Sequence, residues 1–265
     1  MRLDDCRGFV FDVDGTLVHR AGNEAHVQPG ALEVLSKIRA SGRPLAVFTN
    51  GSHETPETFA AGLREVGLDI ADDELLTPLR SVRFHLRSHR EGPVILFANE
   101  RVHAYLEQAG LQVADGEQAD AVFVAHVDTV DFEELERAAR AVLAGAELLT
   151  ASYAPAYAGA NGPILSRGAM TAAAIAKASS TEPTIVGKPS HAALQTIADR
   201  LGAPAEELAV IGDDLGMDVA LGKLGGARTV LVRSGISGEI DLDGVPEASR
   251  PDAVVESVAD VLDWL

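Results

Sequence analysis

Four short apolar runs in this chain each stop abruptly on polar side chains, and no other feature limits the fold as much. Arg7-Gly8-Phe9-Val10-Phe11 ends at Asp12-Val13-Asp14-Gly15-Thr16, and Pro44-Leu45-Ala46-Val47-Phe48 ends at Thr49-Asn50-Gly51-Ser52. Thr184-Ile185-Val186 leads into Gly187-Lys188-Pro189, and Leu208-Ala209-Val210-Ile211 into Gly212-Asp213-Asp214. Runs this short, rich in β-branched and aromatic residues and without alternation, read as strands buried on both faces, the habit of parallel sheets. Between them the period changes to helical. A helix is expected over about residues 30–41, with Leu32, Leu35 and Ile38 as its apolar stripe, Pro29 at its start and Gly42 as its stop. Another is expected over about residues 56–66, closed by Gly67. Alternating strands and helices imply an α/β fold, a parallel sheet with helices on both faces.

Past Thr77-Pro78 the rhythm shifts. Strands at 94–97, 121–124 and 147–150, with helices near 102–109, 132–144 and 168–178, make a second α/β unit set inside the first. Residues 151–163 read as a long loop and 179–181 as a linker. The first pattern then resumes: a strand at 184, a helix capped by Ser190, strands at 208–211 and 229–232, and a C-terminal helix over 251–265 packed through Val254, Val258, Val261 and Leu262. The expected organisation is a core from residues 1–79 and 184–265 with an insert over 80–183.

The chain has 265 residues, enough to bury a sizeable core in two such units. Its net charge of −18 argues against nucleic acid or an anionic membrane as a partner, since both need a basic surface. No apolar run approaches the roughly 20 residues that span a bilayer. The N-terminal Met1-Arg2-Leu3-Asp4-Asp5-Cys6 places acids where an export signal wants bases. The single Cys6 cannot form an internal disulfide, so a cytoplasmic location is expected.

In an open parallel sheet, ligands bind at the carboxyl ends of the strands. Asp12, Asp14 and Asp213 gathered there would repel one another unless a cation sat among them, and hard oxygen donors with few histidines favour Mg²⁺ over zinc. A carboxylate can attack phosphorus to give an acyl phosphate. Asp14, two residues on in a bending loop, can protonate a leaving oxygen and then activate water. Thr49 and Asn50 offer a hydroxyl and an amide to phosphoryl oxygens, and Lys188 a compact positive charge. Each of these residues also has a purely structural reading, as a turn former or a helix-terminal acid. Their common order at strand exits favours the chemical one.

Asp12-Val13-Asp14-Gly15-Thr16-Leu17 resembles the DxDGT signature of the haloacid-dehalogenase superfamily. Phe48-Thr49-Asn50-Gly51-Ser52, Gly187-Lys188-Pro189 and Gly212-Asp213-Asp214 through Asp218 resemble its other motifs, in the family's order. The resemblance implies a Rossmann-like core and a Mg²⁺-dependent phosphatase acting on a small-molecule phosphate monoester. Asp12 would be nucleophile and metal ligand, and Asp14 the general acid/base with its backbone carbonyl on the metal. Thr49, Asn50, Gly51 and Lys188 would hold the phosphoryl group. Asp213 would be a further metal ligand, with Asp218, and Asp214 beside it, in an outer layer that orients Lys188 or a metal-bound water. The second acid, Asp14, sets the chain with phosphatase-like rather than dehalogenase-like members.

The insert resembles the large cap of subfamily IIA, the p-nitrophenyl phosphatase and N-acetylglucosamine-operon phosphatase branch, and Val124-Ala125-His126-Val127-Asp128 resembles a strand end of that cap. A homodimer through the cap is an arrangement this resemblance allows. Two departures stand out: Ala151-Ser152-Tyr153 where the branch has Asn-Pro-Asp after a threonine, and Asn50-Gly51 where it has paired asparagines. The first lies where a cap meets substrate, so substrate preferences are not carried over. A phosphotransferase or mutase would use the same core, and a catalytically silent phosphate-binding module would not need both Asp12 and Asp14. His19, His53 and His126 lie close to motifs and are either substrate contacts or surface residues. The 152–162 loop, with Tyr153 and Tyr157, is either a selector of the leaving group or an ordinary surface loop. Arg167 either pairs with a second anionic group or simply opens a helix.

Overall fold

In the computed structural model, which describes residues 2–21, 24–89, 92–157 and 164–265, strands and helices alternate over most of the chain. The chain begins with β1 (Gly8–Phe11), β2 (Val18–Ala21), β3 (Glu24–Val27), α1 (Ala31–Ala40), β4 (Leu45–Phe48), α2 (Pro56–Glu65) and β5 (Leu75–Leu76). It continues through α3 (Pro78–His89), β6 (Val94–Phe97), α4 (Glu100–Gln108), β7 (Ala121–Val124), α5 (Phe132–Leu143) and β8 (Glu147–Thr150). Next come β9 (Ala156–Tyr157), β10 (Ile164–Leu165), α6 (Arg167–Ser179) and β11 (Thr184–Ile185). It closes with α7 (His191–Leu201), β12 (Leu208–Gly212), α8 (Ala220–Gly225), β13 (Arg228–Val232) and β14 (Ala253–Val255). Two compact units result: Met1–Thr49, Glu57–Leu76 and Lys188–Leu265 in one, Asn50–Pro56 and Thr77–Gly187 in the other.

The first unit is built on a six-stranded parallel sheet in the order β14-β13-β12-β1-β4-β5. Successive side chains of a strand point to opposite faces, and here both faces are covered. Phe9, Phe11, Val47 and Ile211 join one core with Val34, Leu35 and Ile38 of α1. Val10, Ala46, Phe48 and Val210 join another with Ala193, Leu194 and Ile197 of α7. The buried face of α1 is therefore Ala31, Val34, Leu35 and Ile38, whereas Leu32, expected in the stripe, is 43% exposed.

The C-terminal segment corrects the expectation of a helix. Ala253–Val255 adds a strand beside β13, with Leu231 opposite Val254, and only Val258–Trp264 winds up, as 3₁₀ turns behind a Ser257/Asp260 capping box. Paired valines next to an open sheet edge gain more from pairing than from continuing a helix. The antiparallel hairpin β2–β3 was not legible either. Its residues Val18-His19-Arg20-Ala21 and Glu24-Ala25-His26-Val27 hold few of the large apolar side chains that mark a buried strand.

The second unit is a four-stranded parallel sheet, β11-β8-β7-β6, with its own core. Ile95, Phe97, Val122, Val124 and Leu148 pack with Ala138 and Val142 of α5 and with Ala172 and Ile175 of α6. Thr184–Ile185, expected as the first strand of the returning core, instead pairs with Leu149–Thr150 of β8. That ladder runs on through Val186 N–H to Thr150 O and Gly187 N–H to Ala151 O. The segment read as a long loop contains β9 paired with β10. Among the described residues no helix is long and apolar enough to cross a membrane.

Candidate active site

Strand order in the first unit reverses between β1 and β12: the chain builds outward through β4 and β5, then returns to build β12, β13 and β14 on the other side. Such a switch point opens a crevice at the carboxyl edge of an α/β sheet. Asp12 leaves β1 there, with its N–H bonded to Ile211 O of β12 at 3.0 Å. Asp213 leaves β12, Thr49 leaves β4, and the 233–238 loop leaves β13.

Lys188 lies at the centre, with a side chain only 3% exposed. Its Nζ donates to Asp12 Oδ1 at 2.5 Å and to Asp218 Oδ1 at 2.6 Å. Asp218 reaches it from a single π turn, Leu215–Val219, and its other oxygen accepts the Asp214 N–H at 3.1 Å. Such turns are rare and recur at functional sites. Asp214 caps this turn, accepting the N–H groups of Gly216 at 2.7 Å and Met217 at 3.2 Å.

Asp213 is fixed by backbone on two sides. A Cβ on Gly15, whose φ is +85°, would lie 2.3 Å from Asp213 Oδ2, and one on Gly235 would lie 1.9 Å from it. Only glycine permits that approach. The same oxygen accepts the Ile236 N–H at 2.7 Å, and Asp213 O accepts the Ser237 N–H at 3.1 Å. Ser234 Oγ donates to Gly15 O at 2.6 Å, and Ser237 Oγ accepts the Leu215 N–H at 3.1 Å. The loop after β13 thus ties the loops of Asp12 and Asp213 together. Sequence reasoning missed these residues, although a Ser/Gly segment at the exit of an expected parallel strand was a usable signal.

The cluster is short of positive charge. Burial raises the Asp12 carboxyl well above its ordinary range, Lys188 pulls it down, and Asp218 and Asp213 push it up again. Burial, then the Asp218 charge, lifts Asp213 to about 6 against the pull of the Ile236 N–H. Burial alone would lower Lys188, but the carboxylates of Asp12 and Asp218 outweigh it and hold the ammonium above its usual value. Asp214 is also raised, chiefly by burial.

Carboxylate oxygens of Asp12, Asp213 and Asp218 lie within 4.8 Å of one another. Three acids sharing one ammonium are the surroundings that a cation relieves. Lys188 engages Oδ1 of Asp12 and the Ile236 N–H engages Oδ2 of Asp213, so each acid has its other oxygen to offer. The residues fit a divalent metal held by hard oxygen donors.

Asp14 is exposed on the same loop and is not among those three acids. Thr49 is half-buried, its N–H on Leu76 O at 3.2 Å. Asn50 and Gly51 follow it directly in the chain but pack with the second unit. His19 is exposed on β2 opposite His26. In the second unit the rings of His53 and His126 meet edge to face at 5.9 Å, and His126 Nε2 lies 3.5 Å from Asp128 Oδ1. Arg167 opens α6 and donates to Asp128 O at 2.9 Å. Tyr153 is half-buried against that unit's core and Tyr157 is exposed on β9, while residues 158–162 of the expected selector loop lie outside the described residues.

Residues 9–112 match a family model described as haloacid dehalogenase-like hydrolase, and residues 185–261 match a second, HAD-hydrolase-like model. The chain is 30% identical over 256 residues to a dihydroxyacetone phosphatase of Corynebacterium glutamicum, covering 96% of this chain and 90% of that protein. It is 29% identical to the ribonucleotide monophosphatase NagD of Escherichia coli, covering 96% and 98%. A solved p-nitrophenyl phosphatase from Archaeoglobus fulgidus superposes with a TM-score of 0.85 at 30% identity, covering 98% of this chain and all of that one.

Proposed function

This chain belongs to the haloacid dehalogenase-like hydrolases, and we propose that it is a phosphatase that hydrolyses a small-molecule phosphate monoester through a phosphorylated Asp12. The observation that carries the reading is the buried Lys188 ammonium bridging Asp12 and Asp218, with Asp213 close by. A lysine so placed favours the ionised form of Asp12 against its burial and presents positive charge where a phosphoryl group would dock.

Asp12 attacks phosphorus in line. A bond forms between its carboxylate oxygen and phosphorus as the bond to the ester oxygen breaks. Asp14 gives its proton to the departing alkoxide, then takes one from water as that water attacks the phosphorus and frees Asp12. Thr49, Asn50, Gly51 and Lys188 hold the phosphoryl oxygens. Asp218 orients Lys188 through the 2.6 Å bond, and Asp214 supports it by capping the turn that carries Asp218. Asp12, Asp213 and the backbone carbonyl of Asp14 would hold Mg²⁺, which when bound supplies charge for the transferring group. Exposed Asp14 has room to act on a leaving group.

The inserted unit, Thr77–Gly187, acts as the cap that selects substrate. The related phosphatases differ in the substrates they are named for, so the reading extends to the class of small phosphate monoesters. A cytoplasmic location suits a chain whose one cysteine is buried and unpaired. Exposed Phe132, Leu165 and Met170 favour pairing of two copies through the cap.

The test is phosphate release from p-nitrophenyl phosphate with and without Mg²⁺, comparing wild type with Asp12→Asn. Turnover is expected to need Mg²⁺ and to vanish in the variant. Undiminished activity in Asp12→Asn overturns the mechanism.

A further inference from the structure

The segment that follows Thr49, Asn50–Pro56, groups with the second unit and not with the unit of the strand it leaves. The chain passes from one unit to the other between Thr49 and Asn50 and again between Gly187 and Lys188. These two of the four crossings adjoin residues proposed above to hold the phosphoryl group. What fixes Asn50–Pro56 inside the second unit therefore bears on the placement of Asn50 and Gly51.

Asn99 is the node of that attachment. Its side-chain Nδ2 donates to His53 O at 2.8 Å, and its backbone N–H donates to His126 O at 3.1 Å. Its Oδ1 caps α4 by accepting the Val102 N–H at 3.0 Å. One residue thus links the exit of β6, the exit of β7 and the 50–56 segment. Around it, Arg101 on α4 pairs with Glu54, and the His53 ring meets His126. At the start of the segment, Asn50 Oδ1 lies so near Gly187 that a Cβ there would approach it to 2.6 Å. Capping needs only one acceptor, and serine or aspartate would serve as well. The amide donor, spent on a carbonyl of a distant segment, has no part in the cap.

We infer that Asn99 is a positioning residue: through His53 it sets the Asn50–Pro56 segment, and thereby the backbone and side chain that Asn50 and Gly51 present to the phosphoryl group. This rests on the proposed phosphatase reading. Arg101 acts in the same way through Glu54, with a smaller share, because an ion pair whose arginine is 60% exposed contributes little.

Asn99→Asp separates the two duties of this side chain. Aspartate keeps the cap on Val102 and suits a helix N-terminus, but it faces the His53 carbonyl with an oxygen where a donor stood. Losing one neutral hydrogen bond and gaining that repulsion should raise KM for p-nitrophenyl phosphate about five- to tenfold. The inhibition constant for inorganic phosphate should rise by a similar factor, with kcat changed much less, because a group that grips the phosphoryl oxygens acts on ground and transition states alike. Helix content and Tm should stay at the wild-type values. Arg101→Ala should raise both constants about twofold, and Arg101→Lys should restore them. If Asn99→Asp proves unstable, the Arg101 pair of variants decides. Both constants unchanged in folded Asn99→Asp, or in folded Arg101→Ala when that pair decides, overturn the inference. Failure of the phosphatase reading shows elsewhere, as wild type without turnover or as activity that survives Asp12→Asn. Phosphate affinity measured by calorimetry on wild type and Asn99→Asp then still decides the positioning role.

Discussion

Asp218→Asn tests the buried lysine bridge with almost no change of shape. Asp218 is 2% exposed and uses both carboxylate oxygens as acceptors, one from Lys188 Nζ at 2.6 Å and one from the Asp214 N–H at 3.1 Å. An amide has one acceptor oxygen. Leaving the ammonium unpartnered costs more than leaving a backbone N–H, so the amide oxygen should keep Lys188 and the NH₂ should face the Asp214 N–H. The orphaned donor costs about 1–3 kcal/mol, and replacing the ion pair by an ammonium–amide bond, in which only the donor is charged, costs about another 1 kcal/mol. An opposing effect exists: Asp218 is one of the charges that push Asp12 and Asp213 upward, so its removal relieves a crowded cluster. Unfolding free energy should therefore drop by only about 1–2 kcal/mol. Catalysis has no such relief, since a neutral amide holds Lys188 in place less firmly than the carboxylate did. A loss of about 2–3 kcal/mol in transition-state stabilisation lowers kcat/KM roughly 30- to 150-fold. Phosphate release from p-nitrophenyl phosphate at saturating Mg²⁺, beside urea unfolding of the same sample, separates the two effects. A kcat/KM within threefold of wild type in a folded variant would refute the positioning of Lys188 by Asp218.

Gly235→Ala should be as damaging as loss of a side chain in the cluster, although residue 235 contributes none. The new Cβ would stand 1.9 Å from Asp213 Oδ2, so Asp213 or the loop must move. We expect a stability loss of about 1–3 kcal/mol and a weaker apparent affinity for Mg²⁺, read from the metal dependence of turnover. Unchanged metal dependence would show that Asp213 is not held from that side. Metal-free stability should also fall with rising pH because of Asp213. Its folded value of about 6 lies above the ordinary 3.8, so the folded chain binds more protons than the unfolded chain between them. Stability then declines as pH rises from about 4 through 6, by an amount of order 3 kcal/mol. The difference in unfolding free energy between wild type and Asp213→Asn, measured in chelator across that range, isolates the effect, and added Mg²⁺ should abolish it. A wild type that gains stability relative to the variant as pH rises would contradict the sign.

The sheet was legible because its strands are written in dense apolar runs. Strands β6, β7 and β8 fall on the residues expected, since all but Leu96 and Glu147 of their side chains are driven inside. What was not legible depends on partners far away in sequence. Val254 belongs to a strand only because β13 offers it an open edge, and Thr184 joins the second sheet only because β8 does. The same division runs through the site. Asp12, Lys188 and Asp213 stand out by chemistry at strand exits, whereas Asp218, in a π turn, enters only through the family resemblance. Ser234, Gly235 and Ile236 act through a backbone amide, a hydroxyl and a missing Cβ, and so leave almost no trace in residue type. Asn99 hides more completely, because its visible duty as a helix cap accounts for its presence.

A net charge of −18 is the wrong sign for attracting a phosphate dianion, yet distance decides otherwise. Charges on the surface are screened over about 8 Å at physiological salt, so most of the 40 acidic residues act weakly on a site in the crevice. The charges that matter lie within hydrogen-bond reach and are themselves buried, where screening fails. There the balance is three carboxylates to one ammonium, and the sites with raised carboxyls are the ones that would bind a cation. A bound divalent ion and Lys188 together match that acid charge, and a phosphoryl group then adds to a neutral rather than a negative centre. Substrate binding should accordingly depend far more on metal occupancy than on ionic strength, the opposite of what long-range steering by the whole protein would produce.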